Sequence, residues 1–228
     1  MYTKFFGLCE YPFGLTSDLR FFYSLPLHEE VFTNICSVLR NRQGLALLTG
    51  EPGTGKTTLL HRLTHSLSDA VHVIMLPLAA PTFGEILSYL CEQFSLPFSP
   101  RDGLGITLTS LEEYLLRVAN RGNMAVLIID EAQHLDVDTL AHLRQLLRLE
   151  GPTGKLLQIV LAGQPELEEK LAQPEAQFLH QHLASWQRLS PFPNECVESY
   201  IHHRLAVAGC ERPELFTPEA IRTVGLYS

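Results

Sequence analysis

Residues 50–57 read Gly50-Glu51-Pro52-Gly53-Thr54-Gly55-Lys56-Thr57 and match the pattern G-x-x-x-x-G-K-[ST]. An apolar run, Leu45–Thr49, precedes them and predicts a buried strand, while residues 58–63 predict the start of a helix. Glycines between a strand and a helix allow a tight turn whose backbone N–H groups point at a phosphate. A chance glycine-rich turn is the alternative, and the flanking strand and helix disfavour it. The sequence therefore predicts a phosphate-binding loop here.

The parts of this loop have distinct expected roles in binding a nucleotide. Lys56 is expected to reach the β- and γ-phosphates of ATP, and the hydroxyl of Thr57 is expected to hold Mg²⁺. The predicted cofactors are therefore ATP and Mg²⁺. The residues expected to bind the nucleotide are Gly50, Glu51, Pro52, Gly53, Thr54, Gly55, Lys56, Thr57 and Thr58.

A second apolar run, Val126–Ile129, ends in two carboxylates, Asp130 and Glu131. An acid at the carboxyl end of a strand beside a phosphate loop can hold Mg²⁺, so Asp130 is the second predicted metal ligand. Glu131 is expected to orient and deprotonate the attacking water. The alternative is an ordinary strand end with solvated acids, which the upstream phosphate loop disfavours.

A third apolar run, Leu156–Ala162, ends at Gly163-Gln164. A polar side chain at this point can contact the γ-phosphate or the attacking water, so Gln164 is the candidate sensor. A simple turn residue is an equally open alternative for this position. Glu131 and Gln164 are thus the predicted catalytic residues.

Bulk composition limits the classes of function. The chain has 228 residues, of which 46% are hydrophobic, and a formal net charge of −8. No apolar run approaches the ~18 residues of a membrane span, and the first residues lack a signal-peptide pattern, so we expect a soluble, cytoplasmic chain. Five dispersed cysteines argue against a disulfide framework or a zinc site. The acidic balance, with only four lysines, disfavours non-specific nucleic-acid binding.

Alternating strand-like and helix-like segments predict a parallel sheet covered by helices. The predicted organisation is a lead-in at residues 1–44, an αβα core at 45–192 and a helical segment at 193–228. Predicted strands are Leu45–Thr49, Val71–Leu76, Ala125–Asp130, Leu156–Ala162 and a weaker one near Trp186–Leu189. Predicted helices are Leu27–Arg40, Lys56–Leu67, Phe83–Phe94, Leu111–Asn120, Thr139–Leu149 and Glu166–Leu171, with capping boxes at Thr82-Glu85 and Ser110-Glu113 and a loop at Leu96–Gly105.

Three further stretches resemble the AAA+ ATPase domain of the general secretion pathway protein A family. The opening, from Phe6 to Asp18, is similar to that family's F-G-L-x-x-x-P-F-x-L-T-x-D lead, and Asp130–Gln133 matches its D-E-A-Q block. Residues 156–167 match its L-L-Q-I-V-L-x-G-Q-P-E-L block, which is the most specific of the three. The resemblance extends over almost the whole chain.

The resemblance implies a P-loop NTPase fold of the AAA+/ASCE type, with a parallel five-stranded sheet of order 5-1-4-3-2 between helices and a small helical lid, of which residues 193–228 form part. It implies ATP hydrolysis, with ATP bound between subunits of a homo-oligomer. In family members a membrane segment and a peptidoglycan-binding region follow this domain and couple ATP to assembly of a secretion pore in the bacterial envelope. Envelope secretion proteins are therefore the expected partners, and a longer form is expected at the inner membrane. Asp18 and His28 are expected near the adenine pocket by the same resemblance.

Three departures from the family pattern predict weak or partner-dependent turnover. The family has a candidate arginine finger where this chain has His182, and a second arginine where it has Trp186. Arg148 stands where family members often have asparagine, and Arg188 lies near the finger position but out of register. In the family the lid continues into a G-x-P-R segment whose arginine senses the nucleotide, and the 228 residues stop just short of that segment. Whether Arg188 or Arg148 replaces the finger stays open.

Other functions stay open beside this one. A DNA-targeting ATPase of the transposition type carries similar blocks, although the acidic balance of this chain speaks against it. A nucleotide-binding scaffold without turnover is favoured by the changes at the finger position. A D-E-A-Q helicase would need a second motor lobe, which 228 residues with one phosphate loop do not supply. His61 and His65 are candidates for a metal pair, although histidines at this spacing are more often plain surface residues.

Overall fold

A computed structural model describes residues 2–14, 18–77, 80–99, 103–210, 212 and 215–227. The chain divides into two compact units, the sheet unit (Leu27–Leu189) and the helical unit (Met1–Pro26 with Ser190–Ser228). This grouping differs from the predicted division, in which residues 1–44 formed one lead-in. Leu15 and Thr16 of the lead motif, and residues 100–102 of the predicted loop, lie outside the described residues.

The helices and strands are numbered here in chain order. The strands are β1 (Leu45–Gly50), β2 (Val71–Met75), β3 (Met124–Ile129), β4 (Glu150–Gly151), β5 (Gly154–Lys155), β6 (Leu157–Gly163) and β7 (Leu183–Leu189). The helices are α1 (Tyr2–Phe6), α2 (Pro26–Arg40), α3 (Lys56–Ser66), α4 (Phe83–Gln93), α5 (Leu104–Asn120), α6 (Val137–His142), α7 (Arg144–Leu147), α8 (Glu166–Leu171), α9 (Gln177–Gln181), α10 (Val197–Val207) and α11 (Pro218–Tyr227). Short 3₁₀ turns cover Leu19–Phe21, Ala132–His134, Pro174–Ala176 and Asn194–Cys196.

A five-stranded parallel sheet forms the core of the sheet unit, with the strand order β2-β3-β6-β1-β7. When these five strands are numbered along the chain and counted from the other edge, the order is 5-1-4-3-2, so the predicted fold class is confirmed. Every residue of β1, β3 and β6 is buried, as expected for parallel strands that are covered on both faces. The carboxyl ends of these strands lie at one edge, where such sheets bind ligands.

The edge strand β7 is longer than its sequence signal. Four strands of the sheet lie within one residue of their predicted bounds, whereas β7 begins at Leu183 and not near Trp186. Its residues alternate between partly buried and exposed until the buried Leu189. An edge strand keeps one face in contact with water, so it lacks the continuous apolar run that identified the other strands.

Helix α5 begins earlier than predicted, and this corrects two predictions. Residues 104–105 are helical and not part of a loop, and Ser110 lies inside the helix, so it does not cap it. The buried side chains of α5 continue at helical spacing from Thr107 to Leu111, Leu115 and Val118, which explains the longer helix. The other predicted capping box is confirmed, since Thr82 and Glu85 exchange hydrogen bonds at the start of α4.

The predicted helix at Thr139–Leu149 is two short helices, α6 and α7, which are separated at Leu143. The carboxylate of Asp136 accepts a hydrogen bond from the backbone N–H of Thr139 at 2.6 Å, so α6 begins at Val137. A two-stranded hairpin, β4 with β5, follows α7. Pro152 lies in its turn and is incompatible with a continuing helix, which explains why helical structure ends before Leu149.

The helical unit has a small apolar core of its own. Its buried members are Leu8, Phe21, Val197, Ile201, Leu205 and Ala208. The Arg204 guanidinium donates to the carbonyl oxygens of Pro12 at 2.5 Å and Gly14 at 3.3 Å, and it lies over the Phe21 ring. Within residues 193–228, the α-helices of the described part are α10 and α11. Among the helices of the described residues, none combines the length and the apolar character needed to cross a membrane.

The central strands should determine the stability of the sheet unit. Ile128 on β3 is fully buried, whereas Ile106 on α5 is 63% exposed. Ile128→Ala removes buried methyl groups and leaves a cavity, so we expect it to lower the free energy of unfolding by about 2–5 kcal/mol. Ile106→Ala is the matched control and should change it by less than about 0.5 kcal/mol. Urea unfolding checks this, and equal losses in the two variants would contradict it.

Candidate functional site

The loop 50–57 joins β1 to α3, as the sequence predicts. Gly55 has a φ of 88° and directly precedes the first turn of α3, a backbone conformation that favours glycine. At Gly50 the constraint is space, because a Cβ atom there would lie 2.6 Å from the carbonyl oxygen of Leu189 and 2.8 Å from Oγ1 of Thr54. The two glycines therefore fix the shape of the loop where it leaves the sheet and where it enters the helix.

The side chain of Lys56 is buried and holds the loop together. Its ammonium group donates to the carbonyl oxygens of Gly50 at 2.8 Å and Glu51 at 3.0 Å, and only 5% of the residue is exposed. The hydroxyl of Thr54 donates to the same Glu51 carbonyl at 2.8 Å. A buried ammonium group needs such acceptors, because losing its water without them is costly. The loop thus places one positive charge beside its own backbone.

A direct contact joins the loop to the end of β3. The hydroxyl of Thr57, in the first turn of α3, donates to Oδ2 of Asp130 at 2.6 Å across 73 residues of sequence. Mg²⁺ is commonly held by one or two protein oxygens together with phosphate oxygens and water. A hydroxyl and a carboxylate that already converge beside the loop fit that requirement. The two predicted metal ligands are therefore brought together.

Glu131, the predicted base, directly follows Asp130 and has a φ of 52°, in the left-handed region. Its backbone N–H donates to Oδ1 of Asp130 at 2.9 Å. Its carboxylate accepts a hydrogen bond from Nε2 of Gln133 at 2.5 Å. The residue is exposed, so its second carboxylate oxygen is available to solvent or ligand.

Gln164, the predicted sensor, follows β6, which lies between β1 and β3 in the sheet. Its backbone N–H donates to Oε1 of Gln133 at 3.1 Å. Glu131 and Gln164 are therefore connected through one side chain that the sequence did not single out. The only signal for Gln133 was its place in the D-E-A-Q block, which gives no reason to expect contact with a residue after the next strand of the sheet.

The two candidates for the arginine finger, Arg188 and Arg148, contact different side chains. Arg188 on β7 pairs in register with Thr49, and its Nε lies 4.0 Å from a carboxylate oxygen of Glu168. Arg148 is exposed, and its guanidinium lies over the ring of Phe178, against which the ring of His182 stacks with 3.9 Å between ring centroids. Arg148 and His182 thus share one aromatic neighbour, whereas the neighbour of Arg188 is the carboxylate of Glu168.

Three other polar positions have local roles. Nδ1 of His65 contacts the carbonyl oxygen of His61 at 2.8 Å, so this pair bonds along its own helix. No group of three or more His, Cys, Asp or Glu side chains that could hold a metal occurs among the described residues.

Asp18 belongs to the helical unit and accepts hydrogen bonds from Arg20, which lower the pKa of its carboxyl group. Nε1 of Trp186 donates to Oγ1 of Thr49 at 3.4 Å.

His28 on α2 contacts loop 50–57 from within the sheet unit. Its Nε2 lies 3.4 Å from the carbonyl oxygen of Thr54, and only 2% of the residue is exposed. Burial lowers the pKa of His28 below its ordinary value of 6.5, an effect that the contact with Thr54 opposes in part. The imidazole is therefore held in its neutral form beside the loop.

Comparison with known proteins gives two levels of similarity. A family model described as an AAA domain matches residues 39–171. General secretion pathway protein A of Aeromonas hydrophila is 38% identical over 224 residues, which cover 98% of this chain and 41% of that protein. Replication factor C small subunit of Staphylothermus marinus is 28% identical over 139 residues, 60% of this chain and 36% of that protein. The chain thus spans about two fifths of the curated relatives it matches.

Solved structures share the fold at low identity. Cdc6p from Pyrobaculum aerophilum matches with a TM-score of 0.65 and 21% identity, over 90% of this chain and 57% of that chain. The ORC2 protein of Aeropyrum pernix matches with a TM-score of 0.62 and 15% identity, over 91% of this chain and 64% of that chain. Identities this low show the architecture alone.

The buried His28 predicts a specific loss of stability in mild acid. The pKa of His28 is lower in the folded chain than in the unfolded chain, where it is near the ordinary value of 6.5. As the pH falls below 6.5, the unfolded chain therefore binds a proton that the folded chain does not yet bind. The free energy of unfolding then decreases until the pH reaches the pKa of the folded state. His28→Gln should remove this contribution and lose less free energy of unfolding than the wild type between about pH 7 and pH 5. The exposed His65→Gln is the control. Urea unfolding at both pH values checks this, and an equal loss in wild type and His28→Gln would contradict it.

Proposed function

The chain belongs to the AAA domain family, and on this premise we propose that it binds ATP with Mg²⁺ and hydrolyses the bond between the β- and γ-phosphates. The observation that carries the proposal is the 2.6 Å contact between the Thr57 hydroxyl and the Asp130 carboxylate beside the Lys56 loop. An ordinary turn has no need of a buried lysine, a hydroxyl and a carboxylate that converge at one sheet edge. P-loop NTPases hold a magnesium-bound triphosphate with these three groups.

The residues of loop 50–58 bind the phosphates in this proposal. The ammonium group of Lys56 exchanges its bonds to the carbonyls of Gly50 and Glu51 for bonds to phosphate oxygens. The backbone N–H groups of the loop and of the first turn of α3 donate to the same phosphates. Thr57 and Asp130 would hold Mg²⁺, which would supply positive charge to neutralise the phosphates. Thr58 follows Thr57 in the first turn of α3 and is included among the proposed phosphate-binding residues.

Glu131 is the proposed general base, and Gln164 is the proposed sensor of the γ-phosphate. Glu131 stands next to the metal-binding Asp130, so its carboxylate can accept a proton from a water molecule near the metal. Gln164 follows β6, the strand between β1 and β3, and so lies at the same sheet edge. Both residues are connected to Gln133 by hydrogen bonds.

The similarity to the secretion relative supports a proposal for the role of hydrolysis in the cell. The 38% identity with general secretion pathway protein A extends over 98% of this chain. We therefore propose that ATP binding and hydrolysis switch the assembly of a bacterial envelope secretion system, with envelope secretion proteins as partners and the domain on the cytoplasmic side, where ATP is supplied. ATP would bind between subunits of a homo-oligomer, and the neighbouring subunit would complete the site.

A nucleotide-binding scaffold with slow turnover is the second candidate. His182 stacks on Phe178, and Arg188 faces Glu168 within the same chain. Arg188 would have to leave this carboxylate before it could serve the site of a neighbouring subunit. Arg148 would have to leave the ring of Phe178. Slow turnover by the isolated chain agrees with either case.

Separate variants of the lysine and the glutamate distinguish binding from turnover. Lys56→Ala should weaken binding of a fluorescent ATP analogue by about 10- to 100-fold, because a hydrogen bond to a charged group contributes about 1.5–3 kcal/mol. Glu131→Gln should keep the affinity within about threefold and lower kcat by about 10²–10⁴-fold. Equilibrium fluorescence and phosphate release measure the two quantities.

Two surface variants control for the loss of charge alone. Lys4→Ala and Glu113→Gln change exposed side chains outside the proposed site and should leave affinity and turnover unchanged. ATP binding that is insensitive to Lys56→Ala would overturn the proposed site. Binding that Lys56→Ala weakens, without turnover in the wild type, would instead favour the scaffold.

A further inference from the structure

The side chain of Gln133 is buried at the edge where the proposed base and sensor lie. Only 8% of the residue is exposed, although it follows the exposed Glu131 by two positions. A buried carboxamide is costly unless its hydrogen bonds are made. Its partners are therefore informative about what the residue does.

The carboxamide of Gln133 has one orientation that satisfies its neighbours. Oε1 accepts the backbone N–H of Gln164 at 3.1 Å, and Nε2 donates to the carboxylate of Glu131 at 2.5 Å. Nε2 also lies 3.4 Å from Nε2 of His134. A carboxylate cannot donate and a backbone N–H cannot accept, so a flipped amide would lose both principal bonds. The connection from Gln164 to Glu131 therefore has a fixed direction.

The surroundings hold this carboxamide in place. The ammonium group of Lys170 donates to the backbone carbonyls of Gln133 at 2.6 Å and Leu135 at 2.7 Å, which fixes the 3₁₀ turn that carries the side chain. At Gly163 a Cβ atom would lie 2.7 Å from Oε1 of Gln133. The end of β6 thus leaves space that the carboxamide occupies. Gln164, Gln133 and Glu131 all belong to the sheet unit.

We propose that Gln133 is a positioning residue that couples the loop after β6 to the carboxylate of Glu131. The proposal rests on the proposed function, in which Glu131 is the base and Gln164 the sensor. Gln133 acts through the carboxylate of Glu131, to which it donates, and has no role of its own on the substrate in this proposal. When the backbone at Gln164 shifts, its N–H group displaces Oε1 of Gln133, which accepts its hydrogen bond. The carboxamide of Gln133 is planar and rigid, so its Nε2 moves too and displaces the Glu131 carboxylate to which it donates. The state of the loop after β6 then sets where the base stands.

The kinetic test replaces the donor and keeps the size of the side chain. Gln133→Glu can still accept from the Gln164 N–H, but it sets a second carboxyl group against the Glu131 carboxylate. The two groups can then only repel each other or share one proton, and either result impairs Glu131 as a base. We expect kcat to fall by about 10- to 100-fold while the affinity for ATP stays within about threefold. Gln177→Glu on α9 is the matched control, since it adds the same charge at an exposed position. Turnover within twofold of the wild type, or a loss confined to affinity, would overturn the proposal.

A second measurement does not depend on turnover. Hydrogen exchange of the Gln164 amide should become about tenfold faster in Gln133→Leu, which removes its acceptor. It should also become faster in Glu131→Ala, although Glu131 does not contact Gln164, because the carboxamide loses its second anchor. Asp138→Ala removes another exposed carboxylate, on α6, and should leave the exchange unchanged.

The outcomes separate the positioning role from the proposed function. Unchanged exchange at Gln164 in Glu131→Ala would overturn the coupling, even if the wild type hydrolyses ATP. Faster exchange in that variant supports the coupling. If the wild type then shows no turnover, the proposed hydrolysis fails and the connection between the two sites stands. If turnover is present and Gln133→Glu lowers kcat, both are supported.

Discussion

The ammonium group of Lys56 is a positive charge in a place where water is scarce, and loop 50–57 is organised around it. Only 5% of the residue is exposed, and the carbonyls of Gly50 and Glu51 accept its hydrogen bonds. Gly50 can turn its carbonyl inward only because it has no Cβ to meet the carbonyl of Leu189. The position of the Lys56 charge therefore depends on the Gly50 carbonyl, and the position of Gly50 depends on the close approach of β7 at Leu189.

The sheet brings the remaining chemistry to this charge. The order β3-β6-β1 places the ends of three buried strands side by side, so that Asp130, Gln164 and the loop lie at one edge although they are far apart in sequence. The hydroxyl of Thr57 meets Asp130 across 73 residues, and the N–H of Gln164 meets Gln133 across 31. The proposed site is thus a consequence of strand order, and any change that moved β6 would separate the proposed base, Glu131, from the proposed sensor, Gln164.

The sequence was informative where a function depends on neighbouring residues. Loop 50–57 and the pair Asp130-Glu131 each lie within one short segment, so a nucleotide site could be hypothesised from the sequence without the fold. The strand order came from family resemblance, since periodicity alone does not define which strands are adjacent. The start of β7 and the break between α6 and α7 at Leu143 depend on which faces of these elements pack against the rest of the protein. A run of apolar residues in a single sequence does not define those faces. Gln133 was missed for the same reason, because its importance lies in a contact with another strand's end.

The most direct test is a crystal structure of the Glu131→Gln variant with ATP and Mg²⁺. We expect the ammonium group of Lys56 to leave the carbonyls of Gly50 and Glu51 and to contact phosphate oxygens. The metal should lie beside the Thr57 hydroxyl and the Asp130 carboxylate, either directly or through water. A nucleotide bound elsewhere, or a Lys56 that keeps its carbonyl partners while ATP is bound, would contradict the assignment of this loop as the nucleotide site.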